Sequence, residues 1–357
     1  MGNRILIVSR DVTLKQDGGT LVSKRNERLL QNLGFKTERF IIPIPSLITR
    51  LTNIIFHQSY GSTKSLLNKF KNTINQKFDY VFFDGSIYGG YLKIASDFGC
   101  KTICFYHNVE VEYYKQKAIQ TKSFVDKLMV PYIRYNERLS TEYSNGRIAL
   151  NSRDANLLYK QYGKGADVII PTSMQNRNIE SLYAVQREKK ENTPYLLFVG
   201  TNFFANIEGL KRFIENVAPK INYKVIVVGN INEAFCSVYE IPDNVEFVGR
   251  VDSLKDYYLN ASAVIAPIFS GSGLKTKTVE AISYGKTVIG FSEAFEGIDF
   301  KQYSGSCIQV NNDEEFISAI NNINQSSLYN QMSAKLFHDK LSDDAQLGLL
   351  QSFISSL

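Results

Sequence analysis

The sequence predicts an α/β protein made of two Rossmann-like domains, each built on a parallel sheet. Short apolar runs at residues 5–8, 80–83, 195–199 and 263–266 end in glycine or polar turns and alternate with helical stretches, as buried parallel strands joined by crossover helices do. A chain of 357 residues exceeds one ordinary core and fits two domains of about 150–180 residues. Its halves also differ in charge: residues 1–170 hold 25 Lys and Arg against 14 Asp and Glu, a net +11, leaving 16 against 21, a net −5, for the remainder. Such an asymmetry suggests two domains with different partners.

A content of 44% hydrophobic and 21% charged residues is that of a globular protein with sizeable cores. No stretch approaches the roughly 20 uninterrupted apolar residues of a membrane span, and residues 1–4 run directly into the first strand, so neither a signal peptide nor a spanning helix is expected. The cysteines, Cys100, Cys104, Cys236 and Cys307, have neither disulfide-framework nor zinc spacing, which points to a reducing cytoplasm.

In the first half the strand at 5–8 is followed by a polar loop, then Asp17, Gly18, Gly19 and Thr20, then a helix to about Leu33 capped by Gly34. Residues 46–56 and 65–72 mix apolar positions with Arg50, Lys64, Lys69 and Lys71, which suits either two packing helices or a surface lying on an anionic membrane. The strand at 80–83 ends in Asp84 and Gly85. A strand at 101–106 ends in His107, Asn108, Val109 and Glu110. A histidine at the carboxyl end of a parallel strand faces the crevice where ligands bind and can donate or accept a hydrogen bond near neutral pH; the alternative is a satisfied structural histidine. His57 and His338 fall in helical stretches, so His107 alone occupies a strand tip. Residues 113–143 read as one long basic and aromatic helix. Its Tyr and Lys residues could stack nucleic-acid bases, but no RNA-binding signature accompanies them, and acceptor or membrane contact fits better. A strand at 147–150 and a capped helix from Asn151 follow, then a strand at 167–170, which closes a domain over 1–170. The polar run 171–192 is the expected linker.

The second domain is expected over 193–340. It opens with the strand 195–199, then Gly200, Thr201 and Asn206, and continues with strands at 224–228 and 245–249, the latter followed by Arg250. After the strand 263–266 comes a glycine-rich loop, then a helix with Thr278, Val279, Ile282 and Ser283 facing inward, and a return strand at 287–290. Unpaired N–H groups and the helix dipole converge at such a loop and favour anions. Lys275 and Lys277 add positive charge there, and Glu280, one turn on, can accept hydrogen bonds from sugar hydroxyls. Phosphate at one end and ribose at the other describe a nucleotide diphosphate. The chain ends in helices at 313–323 and about 330–357.

The run Gly271-Ser-Gly273-Leu-Lys275-Thr-Lys277-Thr-Val-Glu280-Ala281 resembles the Gly-x-Gly-x-Lys-x-Lys-x-x-Glu-Ala donor signature of one branch of the family 4 retaining glycosyltransferases. That branch also carries a His-Asn-Val-Glu like that at His107, a glutamate like Glu137 with a structural role, and an opening of the second domain like 195–210. The resemblance implies the GT-B fold, two Rossmann-like domains facing a central cleft, with the helix at 341–357 crossing back to the first. It further implies transfer of a hexose, with retention, from a nucleotide-diphosphate sugar, a UDP-sugar before others, to a hydroxyl of a glycan or lipid-linked acceptor in surface polysaccharide synthesis. Neither metal nor cofactor would be required, and an anionic membrane surface would be met through the basic N-terminal domain. In this picture Glu280 holds the ribose, Gly273, Lys275 and Lys277 hold the phosphates, and Thr201 and Asn206 line the donor side. Gly19 closes over the phosphates, Arg250 borders the base and His107 orients sugar or acceptor. Two departures stand out. Ser272 occupies the place of the first of two family glutamates, and Thr201 and Asn206 stand where an Arg and a Lys clamp the diphosphate in many members. They keep a second reading open, a non-catalytic GT-B subunit that binds acceptor and supports a partner transferase. A nucleotide-sugar epimerase and a nucleic-acid-binding protein rank below both.

Overall fold

The computed structural model describes residues 3–13, 18–179, 181–183, 194–231, 235, 239–270, 276–323 and 328–357. Its contacts divide the chain into two units, Met1–Thr172 with Gln346–Leu357, and Ser173–Ala345.

The first unit is a six-stranded, all-parallel sheet in the order β2-β1-β3-β4-β5-β6. Its strands are β1 (Arg4–Ser9), β2 (Lys36–Ile41), β3 (Tyr80–Asp84), β4 (Thr102–Tyr106), β5 (Gly146–Ala149) and β6 (Val168–Ile169). The strands central to the sheet are the continuous apolar runs read from the sequence. The edge strand β2 was not legible there, because it buries Phe40 while exposing Lys36, Glu38 and Ile41. Helices α1 (Gly18–Asn32), α2 (Leu47–Ile55), α3 (Lys64–Ile74), α4 (Gly89–Asp97), α5 (Glu110–Thr121), α6 (Phe124–Tyr143) and α7 (Ser152–Tyr162) accompany it. Phe70 of α3 is central to one core, edge-on to Phe40 and Tyr91 at centroid distances of 5.1 and 5.2 Å; burying each such side chain contributes about 1.5–3 kcal/mol.

Residues 113–143 do not form one helix. Lys122 adopts a left-handed conformation (φ 51°) that ends α5, and the Ser123 side chain accepts from the Asp126 N–H to cap α6. The expected helix at 330–357 is likewise interrupted, into Gln331–Leu336, a π-helical turn Phe337–Leu341, and Asp343–Ser355 after the extended Ser342. From Gln346 on, that last helix belongs to the first unit. There the Tyr80 hydroxyl donates to the Ile354 carbonyl at 3.3 Å.

The second unit repeats the architecture with the order β12-β11-β10-β7-β8-β9, again all parallel. Its strands are β7 (Tyr195–Val199), β8 (Lys224–Val228), β9 (Val245–Gly249), β10 (Ala263–Ala266), β11 (Val288–Phe291) and β12 (Cys307–Val310). Phe198, Leu210, Phe213, Ile289 and Phe316 fill its core. At the amino edge the buried Lys286 donates from Nζ to the carbonyls of Leu259 and Ala261 at 3.1 and 2.6 Å, tying the entry of β10 to that of β11, and burial lowers its pKa well below the ordinary lysine value.

Glycines separate packing from flexibility in the first unit. A Cβ on Gly89 would lie 1.8 Å from the Asn136 carbonyl oxygen, whereas one on Gly348, in the exposed part of the terminal helix, would meet nothing within 4 Å. Thermal denaturation is expected to show Gly89→Ala destabilised by about 1–3 kcal/mol through forced separation of α4 and α6. Gly348→Ala is expected to be stabilised by about 1 kcal/mol through helix propensity alone.

Candidate functional site

In an open parallel sheet a crevice forms at the carboxyl ends of the strands where the winding direction reverses. The first sheet reverses between β1 and β3, the second between β7 and β10. Asp84 ends β3, and His107 follows β4 directly. In the second unit Thr201 follows β7 and residues 267–270 follow β10.

Around the first switch point the polar groups are tightly specified. Asp84 is buried, and its Oδ1 lies 3.0 Å from His107 Nε2 and accepts from Asn26 Nδ2 of α1 at 2.8 Å. Burial alone would raise the Asp84 carboxyl, but attraction to His107 and hydrogen bonds from His107, Ser23 and Asn26 outweigh it and hold the pKa below the ordinary aspartate value. With that carboxylate ionised, Nε2 of His107 carries a proton and Nδ1 is the nitrogen left for a ligand. The His107 ring also stands edge-on to Phe105, with centroids 5.0 Å apart.

Glu137 of α6, fully buried, gathers four donors: the Ser86 hydroxyl (2.8 Å), the Glu110 and Val111 N–H groups (2.7 and 3.2 Å) and the Tyr162 hydroxyl (2.8 Å). Burial raises its pKa against the opposing pull of those hydrogen bonds. It thereby satisfies the first turn of α5, which lacks a side-chain cap of its own. The second acid there, Glu110, is partly exposed, and burial together with repulsion from Glu137 pushes its carboxyl up to about 7.

In the second unit Glu280 and Lys277 share the helix Thr276–Ser283 and are paired, Nζ to Oε2 at 2.7 Å; the Tyr258 hydroxyl donates to the same oxygen at 3.2 Å. Tyr258 stacks on Tyr284 at 4.7 Å, and Arg177 covers Tyr284, its Nη1 donating to the hydroxyl at 2.6 Å. Thr278 anchors the helix by donating to the Ala294 carbonyl at 2.9 Å. Thr201 is exposed and its carbonyl accepts from the Asn206 side chain at 3.0 Å, while the Asn202 N–H donates to the Asn230 side chain at 3.2 Å, so the loops after β7 and β8 are joined. Gly229 allows that close approach: with φ 125°, it leaves no room for a Cβ, which would fall 1.7 Å from the Gly200 carbonyl oxygen. Phe203 and Phe204 pack at 4.3 Å. Arg250 follows β9 and is exposed, and Gly19 lies in the first turn of α1. Gly273 and Lys275, like Ser272, lie outside the described residues.

The structure thus brings Lys277 together with Glu280 and Thr201 with Asn206, and sets His107 on Asp84. Sequence reading missed Asp84, Glu110 and Tyr258 as site residues. The signal available for the first was its place at the end of the strand beside β4, and for the second its place three residues beyond His107.

Residues 193–326, all within the second unit, match the family described as "Glycosyl transferases group 1". No curated protein sequence matches the chain. Among solved structures, it is similar to HepE of Anabaena in complex with UDP and glucose, at 13% identity over 99% of this chain and 100% of that one, with a TM-score of 0.67. It is also similar to the lipopolysaccharide outer core galactosyltransferase WaaB, at 13% identity over 99% of each chain and a TM-score of 0.64. A glycosyltransferase from Rickettsia africae aligns at 14% identity over 99% of this chain and 98% of that one, also with a TM-score of 0.64. The chain has the GT-B fold, two parallel-sheet α/β units, and the family match falls on the second of them.

Proposed function

We propose that the protein is a retaining glycosyltransferase that moves a hexose from a UDP-sugar to a hydroxyl of a glycan or lipid-linked acceptor in the synthesis of a surface polysaccharide or glycoconjugate. The observation that carries the reading is the cluster of Lys277 and Glu280, on the helix following β10, with Tyr258, on the short helix Lys255–Asn260 before it, all within the matched residues 193–326. In this reading the carboxylate of Glu280 receives the ribose hydroxyls, and Lys277, with Gly273 and Lys275, receives the diphosphate. Thr201 and Asn206 line the donor, Arg250 borders the base, and Gly19 contacts the phosphates. UDP and glucose in HepE, and the galactosyltransferase activity in WaaB's name, support a UDP-sugar. No covalent nucleophile is assigned, and retention follows from front-face substitution, with lysines and helix N-terminal N–H groups rather than a metal stabilising the leaving diphosphate.

A second surface belongs to the same reading. α2 and its flanks expose Ile44, Leu47, Ile48, Ile55 and Phe56, each more than 60% accessible, and the next helix, α3, exposes Lys64, Lys69 and Lys71. Apolar side chains rimmed by cations suit the boundary of an anionic bilayer, and this surface would place the protein peripherally at the cytoplasmic face, beside a lipid-linked acceptor. No helix among the described residues is long and apolar enough to cross a membrane.

Wild-type protein is expected to be stabilised by UDP, by about 2.7 kcal/mol at 100 times the dissociation constant, with the shift lost in Glu280→Ala; a thermal-shift panel of UDP, GDP, TDP and ADP reads this. No shift with any nucleotide at millimolar concentration favours the non-catalytic subunit. Proton NMR of the transfer product is expected to show the donor's anomeric configuration, and inversion refutes the retaining mechanism. In co-sedimentation, anionic vesicles are expected to bind the wild type at low salt and release Ile48→Glu with Phe56→Glu. Equal sedimentation with neutral and anionic vesicles, or none, removes the membrane surface from the proposal.

A further inference from the structure

We propose that Tyr258 is a positioning residue for the nucleotide's ribose: its hydroxyl, backed by Tyr284 and Arg177, fixes Oε2 of Glu280 so that Oε1 of the same carboxylate takes a ribose hydroxyl. The inference rests on the transferase reading above and deepens its account of Glu280, entirely within the second unit.

The Glu280 carboxylate is used on one side only. Lys277 Nζ and the Tyr258 hydroxyl both donate to Oε2, at 2.7 and 3.2 Å, and no described residue donates to Oε1. The side chain keeps 14% of its surface accessible. A carboxylate oxygen with open lone pairs at a partly exposed position is an acceptor suited to a neutral hydroxyl.

Of the two donors, Tyr258 is the one the fold places firmly. Lys277 is a flexible side chain on the helix of Glu280 itself, whereas Tyr258 is fully buried and comes from the helix Lys255–Asn260. The main chain on either side of Tyr258 is pinned. The Tyr195 hydroxyl of β7 donates to the Tyr257 carbonyl at 2.7 Å, and the buried Lys286 donates to the carbonyls of Leu259 and Ala261. Burial raises the Tyr258 pKa well above the ordinary tyrosine value, so the hydroxyl keeps its proton and stays a donor.

The Tyr258 side chain meets two residues one turn apart, Glu280 and Tyr284. Its hydroxyl reaches the first, and its ring lies nearly parallel to the second, with centroids 4.7 Å apart and planes 14° apart. Tyr284 is itself held at both ends. Its carbonyl accepts from the Tyr183 hydroxyl at 3.0 Å, and its hydroxyl accepts from Arg177 Nη1 at 2.6 Å, with the guanidinium 4.4 Å from the ring centroid. Phenylalanine would fill the same volume at 258. What the tyrosine adds is one hydrogen bond, and the carboxylate of Glu280 receives it.

The test measures, by calorimetry, the affinities of UDP and of 2′,3′-dideoxy-UDP, which lacks both ribose hydroxyls, for wild type, Tyr258→Phe and Arg177→Met. The wild type is expected to bind UDP about 10- to 100-fold more tightly than the dideoxy analogue, as hydrogen bonds to a charged acceptor allow. Tyr258→Phe keeps the stacked ring and removes one oxygen. It is expected to retain its affinity for the analogue and to lose about 3- to 10-fold of its affinity for UDP. Arg177→Met, at an exposed position, is expected to narrow the same ratio. A ratio in Tyr258→Phe equal to the wild type's, or a loss shared equally by both ligands, makes Tyr258 a packing residue and overturns the proposal while the transferase reading stands. An unchanged ratio in Arg177→Met overturns the part given to Arg177. A wild type that binds both ligands equally overturns the ribose role of Glu280 and this proposal with it, and one that binds neither overturns the transferase reading.

Discussion

One buried carboxylate holds the first unit's functional edge together. Glu137 enters from α6, an element that contributes nothing to the sheet, and bonds the turn after β3 through Ser86, the start of α5 through two backbone N–H groups, and the end of α7 through Tyr162. Each of those donors, buried without it, would cost about 1–3 kcal/mol. Ser140, one turn further along α6, reinforces the junction by donating to the Ser86 carbonyl at 2.7 Å. Whatever His107 and Glu110 do, they do from positions fixed by this junction, because both belong to the segment whose helical start Glu137 satisfies.

The two units solve the same problem with different chemistry. Both are all-parallel sheets whose winding reverses once, so both open a crevice at the carboxyl ends of two central strands. The first unit places acids and an imidazole, Asp84, His107 and Glu110, near that crevice. The second surrounds it with short side chains, glycines and a paired lysine, groups that donate hydrogen bonds and tolerate close approach of a ligand. The opposite net charges of the halves do not follow from this division, since the acids sit in the half that is basic overall; the excess cations of the first half lie on its surface, near α2 and α3 among other places.

The central strands were legible because a strand buried on both faces must be apolar along its length, as in residues 5–8, 80–83 and 263–266. Edge strands β2 and β12 escaped because only one face of each is covered and their alternation is too short to stand out. The break at Lys122 was invisible for a different reason: the left-handed conformation that ends α5 there falls on a lysine, a residue with no preference for it. The run 271–281 was legible because glycines, lysines and a glutamate recur there at fixed spacing. The cluster in the first unit was only partly so. Asp84, His107, Glu110 and Glu137 come from β3, from the loop after β4 and from two helices, and no spacing in the sequence announces that they meet.

The pairing of Lys277 with Glu280 bears on how the second unit would receive an anion. The two side chains, 35% and 14% exposed, form a pair of the partly exposed kind that contributes about 0–1 kcal/mol. A lysine held so weakly is free to exchange a carboxylate for a more highly charged diphosphate, and its departure would release an oxygen of Glu280 toward sugar hydroxyls. Tyr258 also donates to that oxygen, and Tyr284 stacks on its ring, with Arg177 covering Tyr284 in turn.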